Sequence, residues 1–318
     1  MRHSPTRPAG ARILAVGDYR PAKVLTNDDL ASMVDTSDEW IQSRVGVRTR
    51  HIAADDETVI DMAVAAGGKA LAASGLEADD IDLVIVATWT ARETLPSAAP
   101  TVASRLGIAA PGAFDLNAAC AGFCYALSTA ADAVRGGSAR NVLVIASEKM
   151  SAWVDWTDRS TCVIFGDGAG AVVVGPSDNE GDIGPVVWGS EGAMASVITL
   201  TDERKLTQDG QAVYRWTMGM GEVARQACER AGIKTTDLDA VVAHQANLRI
   251  IDAIVRRLEV PHAIVATDVI ETGNTSAASV PLALARLVEQ GELPSGATTL
   301  LIAFGGGLSW AAQVVTAP

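Results

Sequence analysis

The sequence lacks any apolar run long enough to cross a membrane, because its longest runs, such as VLVIA and AVVVG, have only the length of a β-strand. It also lacks an excess of positive charge: 38 acidic residues outnumber 25 Lys and Arg, and the formal net charge is −13. Proteins that bind along nucleic acid concentrate Lys and Arg. We therefore expect neither a nucleic-acid nor a membrane partner, and an anionic partner would need a local basic patch.

Cysteine and histidine are scarce, with four residues of each. The cysteines show no C-x-x-C spacing, and no histidine lies near the pair Cys120 and Cys124, so the sequence predicts no metal site there. A chain of 318 residues can bury a large core without disulfides, which favours a reducing, cytoplasmic compartment. The N-terminal MRHSPTRPAGAR is basic, but no apolar signal-peptide region follows it, so we interpret residues 1–12 as a frayed leader.

Short apolar runs that are typical of buried strands recur along the chain, with alanine-rich helical segments between them. This alternation predicts an α/β protein whose sheets are covered on both faces. The predicted strands lie at residues 81–88, 141–147, 170–175, 238–245, 298–304 and 312–317.

An internal repeat is the strongest pattern in the chain. The segment GLEADDIDLVIVAT at 75–88 resembles GIKTTDLDAVVAHQ at 232–245, an offset of 157 residues (232 − 75). The same offset aligns Asn117 with Asn274 and two further dipeptides, Ala-Leu and Ile-Ala. Agreement of separate segments on one offset predicts a duplication, with two similar halves packed about a pseudo-twofold axis. The predicted halves are residues 1–175 and 176–318.

Two equivalent turns would meet near the centre of such an arrangement. In the first, Cys120 lies where the strand AFDL ends and a helix begins, so that free backbone N–H groups and the helix dipole favour its thiolate. The second turn, TGNTSAAS, carries Asn274. Of the histidines, only His244 lies at the end of a predicted buried strand near these turns, where α/β enzymes keep their chemistry. The other three cysteines are interpreted as inert and buried: Cys124, Cys162 and Cys228.

Two glycine-rich segments receive different interpretations. Gly305, Gly306 and Gly307 follow a strand, where they permit the close approach that an oxyanion-binding N–H needs, although a simple tight turn would use them too. GDGAGA at 166–171 fits the pattern of a dinucleotide-binding loop, but it leads into a strand and not a helix. We therefore reject nucleotide binding there and expect tight strand packing.

Six motifs together resemble β-ketoacyl-acyl-carrier-protein synthase III, of the thiolase superfamily, over nearly the whole chain. They are DEWIQSRVGVRTRHIA (38–53), AFDLNAACAGFCYAL (113–127), DRSTCVIFGDGAGAVVV (158–174), HQANLRIID (244–252), TGNTSAASVPLAL (272–284) and FGGGLSW (304–310). The resemblance implies an α/β, thiolase-like fold in which duplicated βαβ-containing halves form layers α-β-α-β-α. It also implies a condensing enzyme that loads an acyl group from acyl-CoA and condenses it with malonyl-acyl-carrier protein, initiating fatty-acid synthesis.

The resemblance also implies site residues and partners. The implied catalytic triad is Cys120, His244 and Asn274, with an oxyanion hole formed by the backbone N–H groups of Cys120 and Gly306. The implied coenzyme A contacts are Trp40, Arg44, Arg159 and Asn247. An acidic carrier protein would dock on Arg215, Arg249 and Arg256, whereas Arg257 is better read as a solvated helix residue. No metal or redox cofactor is expected, since the thioester and the departing CO2 supply the driving force, and a homodimer is implied.

Two departures from the family pattern bear on the substrate. Leu95 lies where the housekeeping enzymes carry a bulky aromatic that closes the acyl tunnel of the partner subunit, and the segment between Trp188 and Gln211, which walls the tunnel, is short. Both leave room for a different acyl starter. The alternatives are therefore a priming ketosynthase of a polyketide pathway, or an acyl-CoA-dependent acyltransferase on the same fold. Asn274 argues against the acyltransferase, which would need a base more than an enolate donor. A thiolase is less favoured still, because the FGGG loop has no second cysteine.

Overall fold

A computed structural model describes residues 8–318 of the chain. The first seven residues of the predicted leader lie outside the described residues, and the prediction of a frayed segment is wrong for residues 10–12, because they pair in the first strand, Gly10–Tyr19. None of the helices in the described part is long and apolar enough to cross a bilayer.

The first half of the chain contains seven strands and six α-helices among the described residues. The strands are β1 (Gly10–Tyr19), β2 (Lys23–Thr26), β3 (Thr49–Ile52), β4 (Leu83–Ala87), β5 (Gly112–Leu116), β6 (Val142–Lys149) and β7 (Asp167–Ser177). The helices are α1 (Asn27–Ala31), α2 (Asp38–Val45), α3 (Val59–Ser74), α4 (Ala98–Arg105), α5 (Gly122–Gly136) and α6 (Arg159–Cys162).

The second half adds seven strands and five α-helices. The strands are β8 (Val187–Ser190), β9 (Ile198–Leu200), β10 (Leu206–Gln208), β11 (Ala240–Ala243), β12 (Ile264–Val265), β13 (Thr298–Gly305) and β14 (Ser309–Thr316). The helices are α7 (Gly210–Thr217), α8 (Met220–Arg230), α9 (Leu248–Leu258), α10 (Val269–Thr272) and α11 (Ser279–Glu289). All six predicted strands are confirmed, because each predicted segment overlaps one of these strands.

The two main sheets have the same topology. The first has the order β1-β7-β6-β4-β5, and the second has the order β8-β14-β13-β11-β12. In each sheet the first two pairings are antiparallel and the last two are parallel. The first sheet ends with β7 at Ser177, two residues beyond the predicted boundary of the halves, and the second sheet begins with β8.

Helices cover both faces of each sheet. α5 and α11 lie between the two sheets and contact both, whereas α3 and α4 cover the outside of the first sheet and α8 packs on the outside of the second. A central core cluster joins residues of both sheets to α5 and α11, and a further cluster fills each outer interface. The layered α-β-α-β-α arrangement is therefore confirmed, and the Val- and Ile-rich runs reflect strands that are buried on both faces.

The offset of 157 residues extends to the backbone conformation of the two turns. A 3-10 turn at Ala119–Ala121 leads into α5, and its counterpart at Ser276–Ala278 leads into α11. The first residue of each turn has a positive φ, 45° at Ala119 and 52° at Ser276. Such angles are uncommon for residues other than glycine, so their recurrence at equivalent positions confirms the repeat.

The segment GDGAGA lies in β7 and packs tightly against a helix. A Cβ atom added at Gly170 would lie 2.7 Å from the backbone nitrogen of Leu282 in α11, and one added at Gly168 would lie 2.9 Å from a side-chain carbon of the same residue. Only glycine permits this approach of strand to helix. The interpretation as strand packing is confirmed.

Candidate active site

A cavity of about 680 Å³ lies where the two sheets meet, and Cys120, His244 and Asn274 all line it. Cys120 follows β5 of the first sheet, His244 follows β11 of the second, and Asn274 precedes the 3-10 turn before α11. Carboxyl ends of parallel strands are the usual location of α/β active sites. The fold thus brings together three side chains that are up to 154 positions apart in sequence (274 − 120).

The thiol of Cys120 is half-buried and has hydrogen-bond donors around it. Ser276 Oγ lies 3.4 Å from Cys120 Sγ. Hydrogen bonds from this hydroxyl and from the backbone N–H groups of Cys120 and Gly306 lower the pKa of the thiol, yet burial outweighs them and raises that pKa to about 11. The two N–H groups lower the pKa as the sequence predicts, but desolvation raises it by more, so these surroundings favour the thiol over the expected thiolate.

The glycines after β13 allow the two halves to touch at Cys120. A Cβ atom added at Gly305 would lie 2.6 Å from Cys120 Cβ, so any side chain there would displace Cys120. Gly306 is the next residue, and its N–H is one of the two backbone donors at the sulfur. An oxyanion hole needs such donors at the position that the carbonyl oxygen takes during attack, and two backbone N–H groups beside the sulfur suit that role.

His244 is a buried neutral imidazole. Its Nδ1 lies 2.6 Å from the hydroxyl oxygen of Ser279, and its ring meets the ring of Phe304 edge-on with centroids 5.4 Å apart. Ser279 Oγ also accepts a hydrogen bond from the backbone N–H of Gln245 at 3.3 Å. Burial lowers the pKa of His244 to about 3. Ser279 Oγ can donate its proton to Nδ1 while it accepts from Gln245, and in the tautomer that receives this bond Nε2 carries the ring proton and is a donor.

Asn274 is fixed by both its backbone and its side chain. Its backbone N–H donates to Ile164 O at 2.9 Å, and its carbonyl accepts from the N–H of Gly166 at 3.1 Å. Its side-chain oxygen accepts from the backbone N–H of Ser276 at 2.8 Å. The oxygen is therefore occupied, and the side-chain NH2 group, which has no acceptor among residues 8–318, is available to donate into the cavity.

The four residues implied as coenzyme A contacts lie in two adjoining pairs. The guanidinium of Arg159 lies 4.9 Å from the ring centroid of Trp40, a cation–π contact, and Asn247 Nδ2 donates to the backbone oxygen of Arg44 at 3.4 Å. Asn247 lines the cavity, as do the immediate neighbours of Arg44 and Arg159 in the chain. The four residues therefore lie around the rim of the cavity.

The arginines implied for carrier docking are exposed on neighbouring helices. Arg215 lies on α7, and Arg249 and Arg256 lie seven positions apart on α9. The guanidinium of Arg249 lies 5.9 Å from the ring centroid of Tyr214, the neighbour of Arg215. Arg257 instead packs on α8 and donates to the backbone oxygen of Met218.

Leu95 does not line the cavity of its own chain. It is 89% exposed and lies in the loop between β4 and α4. One wall of the cavity is formed by the short segment after Trp188, which folds as a hairpin of β9 and β10. The cavity-lining residues of this segment and the start of α7 are Ile198, Thr199, Leu200, Leu206, Gln208 and Gly210.

Several functional neighbours carried no signal in the sequence. Trp89, which lines the cavity, donates from its indole nitrogen to Ser276 Oγ at 2.9 Å. Glu148 is fully buried, and burial raises the pKa of its carboxyl to about 7. For Ser276 and Ser279 a signal existed, because both lie in the turn that the repeat aligns with the turn of Cys120.

Family comparisons agree with this geometry. Residues 114–192 match the family model described as 3-oxoacyl-[acyl-carrier-protein (ACP)] synthase III, and residues 228–317 match its C-terminal model. A relative from Streptomyces avermitilis, named beta-ketoacyl-[acyl-carrier-protein] synthase III 2, is 56% identical over 97% of this chain and 99% of its own. A mycobacterial beta-ketoacyl-[acyl-carrier-protein] synthase III from Mycobacterium avium is 49% identical over 98% and 97%.

Solved structures show the same fold. The priming β-ketosynthase from the R1128 polyketide biosynthetic pathway superposes with a TM-score of 0.96 at 45% identity, covering 100% of this chain and 99% of its own. The 3-oxoacyl-[acyl-carrier-protein] synthase III from Aquifex aeolicus VF5 gives a TM-score of 0.94 at 42% identity, covering 96% and 100%. The thiolase-like fold expected from the motifs is therefore confirmed.

Proposed function

Because the chain belongs to the β-ketoacyl-[acyl-carrier-protein] synthase III family and is an acyl-transferring condensing enzyme, we propose that Cys120 is its nucleophile and that His244 and Asn274 are its enolate-stabilising donors. The observation that carries this assignment is the convergence of the three side chains on one cavity from two separate sheets. The nucleophile has backbone and hydroxyl donors around it, and the other two residues present N–H groups to the cavity.

The first half-reaction loads an acyl group onto Cys120. The thiolate sulfur attacks the carbonyl carbon of acyl-CoA, and the N–H groups of Cys120 and Gly306 stabilise the resulting oxyanion. The carbon–sulfur bond to CoA then breaks, and CoA leaves as a thiol with the proton that Cys120 gave up. Because the resting thiol has a pKa of about 11, only the small thiolate fraction reacts, and donors around the sulfur directly raise the rate.

The second half-reaction is a decarboxylative condensation with malonyl-acyl-carrier protein. Nε2–H of His244 and the NH2 group of Asn274 donate to the malonyl thioester oxygen, so that negative charge can collect there as CO2 leaves. The enolate carbon attacks the acyl-cysteine carbonyl, and the Cys120 sulfur departs and regains a proton. A neutral imidazole suits this role, since the reaction needs a donor and no proton transfer to His244. The thioester and the departing CO2 supply the driving force, so we propose that no cofactor takes part.

The residues at the cavity rim suit binding of CoA, and the exposed arginines suit binding of a carrier protein. Trp40 and Arg159 offer an aromatic face and a cation, which suit the adenine ring and the phosphates of CoA. Arg215, Arg249 and Arg256 form a local basic patch on a chain of net charge −13, which suits an acidic carrier protein. The names of two relatives, from Streptomyces avermitilis and Mycobacterium avium, include acyl-carrier protein. We place the reaction in the cytoplasm, and the four free cysteines of the structure suit a reducing compartment.

We favour a role in the initiation of fatty-acid synthesis, because several relatives are named β-ketoacyl-[acyl-carrier-protein] synthase III and their names mention no polyketide pathway. Priming of a polyketide pathway is the second candidate, and the similarity to the R1128 ketosynthase favours it. Leu95 bears on the choice: a second copy of the chain would be needed to cover this exposed leucine and to receive it in its acyl tunnel.

Acyl loading and decarboxylation can be tested separately. The purified enzyme is offered acetyl-, propionyl-, isobutyryl- and hexanoyl-CoA one at a time, and intact mass detects the acyl-enzyme. Malonyl-carrier protein is then added, and release of labelled CO2 is followed. We expect loading of the wild type and none of Cys120→Ala, whereas Cys124→Ala loads normally. Loading without CO2 release would reject the condensing role and favour the acyltransferase.

A further inference from the structure

A line of hydrogen bonds runs from the wall of the cavity to the reactive sulfur. The indole nitrogen of Trp89 lies 2.9 Å from Ser276 Oγ, and this oxygen lies 3.4 Å from Cys120 Sγ. The three residues belong to three different segments: the end of β4, the turn before α11 and the turn before α5. The contact between them exists only because the two halves pack face to face.

The direction of these hydrogen bonds follows from the chemistry of the groups. An indole N–H can donate but cannot accept, so the serine oxygen is the acceptor in its contact with Trp89. The single hydroxyl proton of Ser276 then points elsewhere, and Cys120 Sγ is its only acceptor among the described residues. Ser276 is thereby held as a donor to sulfur. Such a donor favours the thiolate over the thiol.

Both residues are held in place independently of Cys120. The backbone N–H groups of Trp89 and Thr90 donate to the same oxygen of the buried Glu148 carboxyl, at 3.3 and 3.1 Å. The ring of Trp89 also packs on Trp153, with centroids 5.5 Å apart. Ser276 has a φ of 52° and donates its backbone N–H to Asn274. The hydroxyl is thus positioned before any substrate arrives.

The surroundings of the Cys120 sulfur disfavour the thiolate, so a hydrogen-bond donor at the sulfur has a large effect on its pKa. Burial and the charge of Glu148 both raise the pKa of Cys120. Three hydrogen-bond donors lower it, and the hydroxyl of Ser276 lowers it more than either of the two backbone N–H groups does. Among the charged side chains, Glu148 has the largest effect on this thiol. In the equivalent turn of the first half, Ala119 occupies the position of Ser276, so the hydroxyl is not a requirement of the turn itself.

We propose that Ser276 is a catalytic hydrogen-bond donor that stabilises the reactive sulfur of Cys120, and that Trp89 is a positioning residue whose indole fixes the direction of this donor. The proposal rests on the assignment of Cys120 as the nucleophile. It adds a role for a tryptophan that neither the motifs nor the triad includes.

The test measures the thiol itself. The second-order rate of alkylation of Cys120 by iodoacetamide is followed from pH 6 to 11 by the mass of its peptide. In Ser276→Ala we expect about a ten-fold slower reaction at pH 8, since hydrogen bonds to charged groups are the strong ones. Because this pH range lies at or below the pKa of the thiol, the comparison uses the rising part of the profile, which moves up by about one pH unit in Ser276→Ala. In Trp89→Phe we expect about a three-fold decrease in the rate at pH 8.

A double variant and a matched control separate the proposal from a structural effect. If Trp89 acts through Ser276, adding Trp89→Phe to Ser276→Ala slows alkylation no further. Trp156→Phe removes another indole hydrogen bond, to Ser151 O, and should leave the profile unchanged. An unshifted pH profile in Ser276→Ala, or additive effects in the double variant, would overturn the proposal. If instead the profile shifts as expected but acyl-CoA does not load Cys120, the proposed function is wrong and the hydrogen-bond line stands.

Discussion

The two equivalent turns of this protein share a backbone conformation but carry different side chains. Asn117 and Asn274 each accept the N–H of the residue two positions on, at 3.1 and 2.8 Å, and each turn continues into a helix of the central layer. The first turn carries Cys120 among alanines and glycine. The second has an alanine where the first has the cysteine, but adds the hydroxyls of Ser276 and Ser279. The two halves thus share the turn but differ in the side chains that it carries, a thiol in the first half and hydroxyls in the second.

We expect the largest difference between the two turns when their asparagines are replaced. Asn274→Ala should lower the condensation rate by about 10² to 10³-fold, the effect of removing one oxyanion donor, while acyl loading stays within about three-fold. Asn117→Ala should leave both steps within about three-fold, because Asn117 lines the cavity but uses its side-chain oxygen to accept the N–H of Ala119 within its own turn. Single-turnover loading and CO2 release measure the two steps separately. Equal decreases in the condensation rate of the two variants would contradict different roles for the two turns.

A second contrast concerns one buried titratable group in each half. Burial lowers the pKa of His244 to about 3, so its unfolded form binds the extra proton, and its contribution to stability is lost as pH falls below 6.5. Burial raises the pKa of Glu148 to about 7, so its contribution is present at low pH and lost as pH rises from 4.5 through 7. Between pH 6.5 and 4.5 the two effects nearly cancel.

Replacing Glu148 should make the pH dependence caused by His244 measurable. Glu148→Gln should lose about 2 kcal/mol more free energy of unfolding than wild type on going from pH 6.5 to pH 4.5. Urea unfolding at the two pH values measures this difference, and groups common to both proteins cancel in it. A variant with the same pH dependence as wild type would show that Glu148 is ionised in the folded state.

Ser279 tests whether the second turn also orients His244. Ser279→Ala removes the hydroxyl that donates to Nδ1, so either ring nitrogen can carry the proton. We expect the condensation rate to fall about ten-fold, with acyl loading unchanged. The counterpart of Ser279 in the first half is Gly122, and Gly122→Ala serves as the control for small changes at the helix start, with loading and condensation changing by the same factor. A fall in loading equal to that in condensation would reject the orienting role of Ser279.

The smallest expected effect lies at the surface. Arg249→Ala should raise KM for malonyl-carrier protein about three-fold at low salt and less at 0.5 M salt, because exposed charges are screened. Arg105→Ala is the control, since this arginine pairs with Asp61 on the outer layer of the first half. An equal change in both variants would reject α9 as the docking helix.

Much of the fold was predictable because local signals agree with it. The apolar runs match β4, β6, β7, β11, β13 and β14, and the repeat predicted that two turns would be equivalent. Even the glycines that end the helices before β4 and β11 recur at the same offset, Gly75 with a φ of 71° and Gly232 with 73°. These features depend on periodicity and on turn residues, which act over a few positions.

The state of the site was not predictable in the same way. The helix start suggested a thiolate at Cys120, but burial raises the pKa of that thiol, and burial depends on every layer around it. Trp89 had no motif, since its role depends on a serine 187 positions away in the chain. Leu95 was assigned to an acyl pocket, and within one chain it lies exposed.

The sequence by itself determined the strands, the duplicated halves and the two turns, because each depends on neighbours along the chain. Only the tertiary structure decided the protonation of Cys120 and His244 and the donors that reach them. The physical reason is that desolvation and hydrogen bonding depend on distance in space, and here they join a tryptophan of one half to a serine of the other across the central layer.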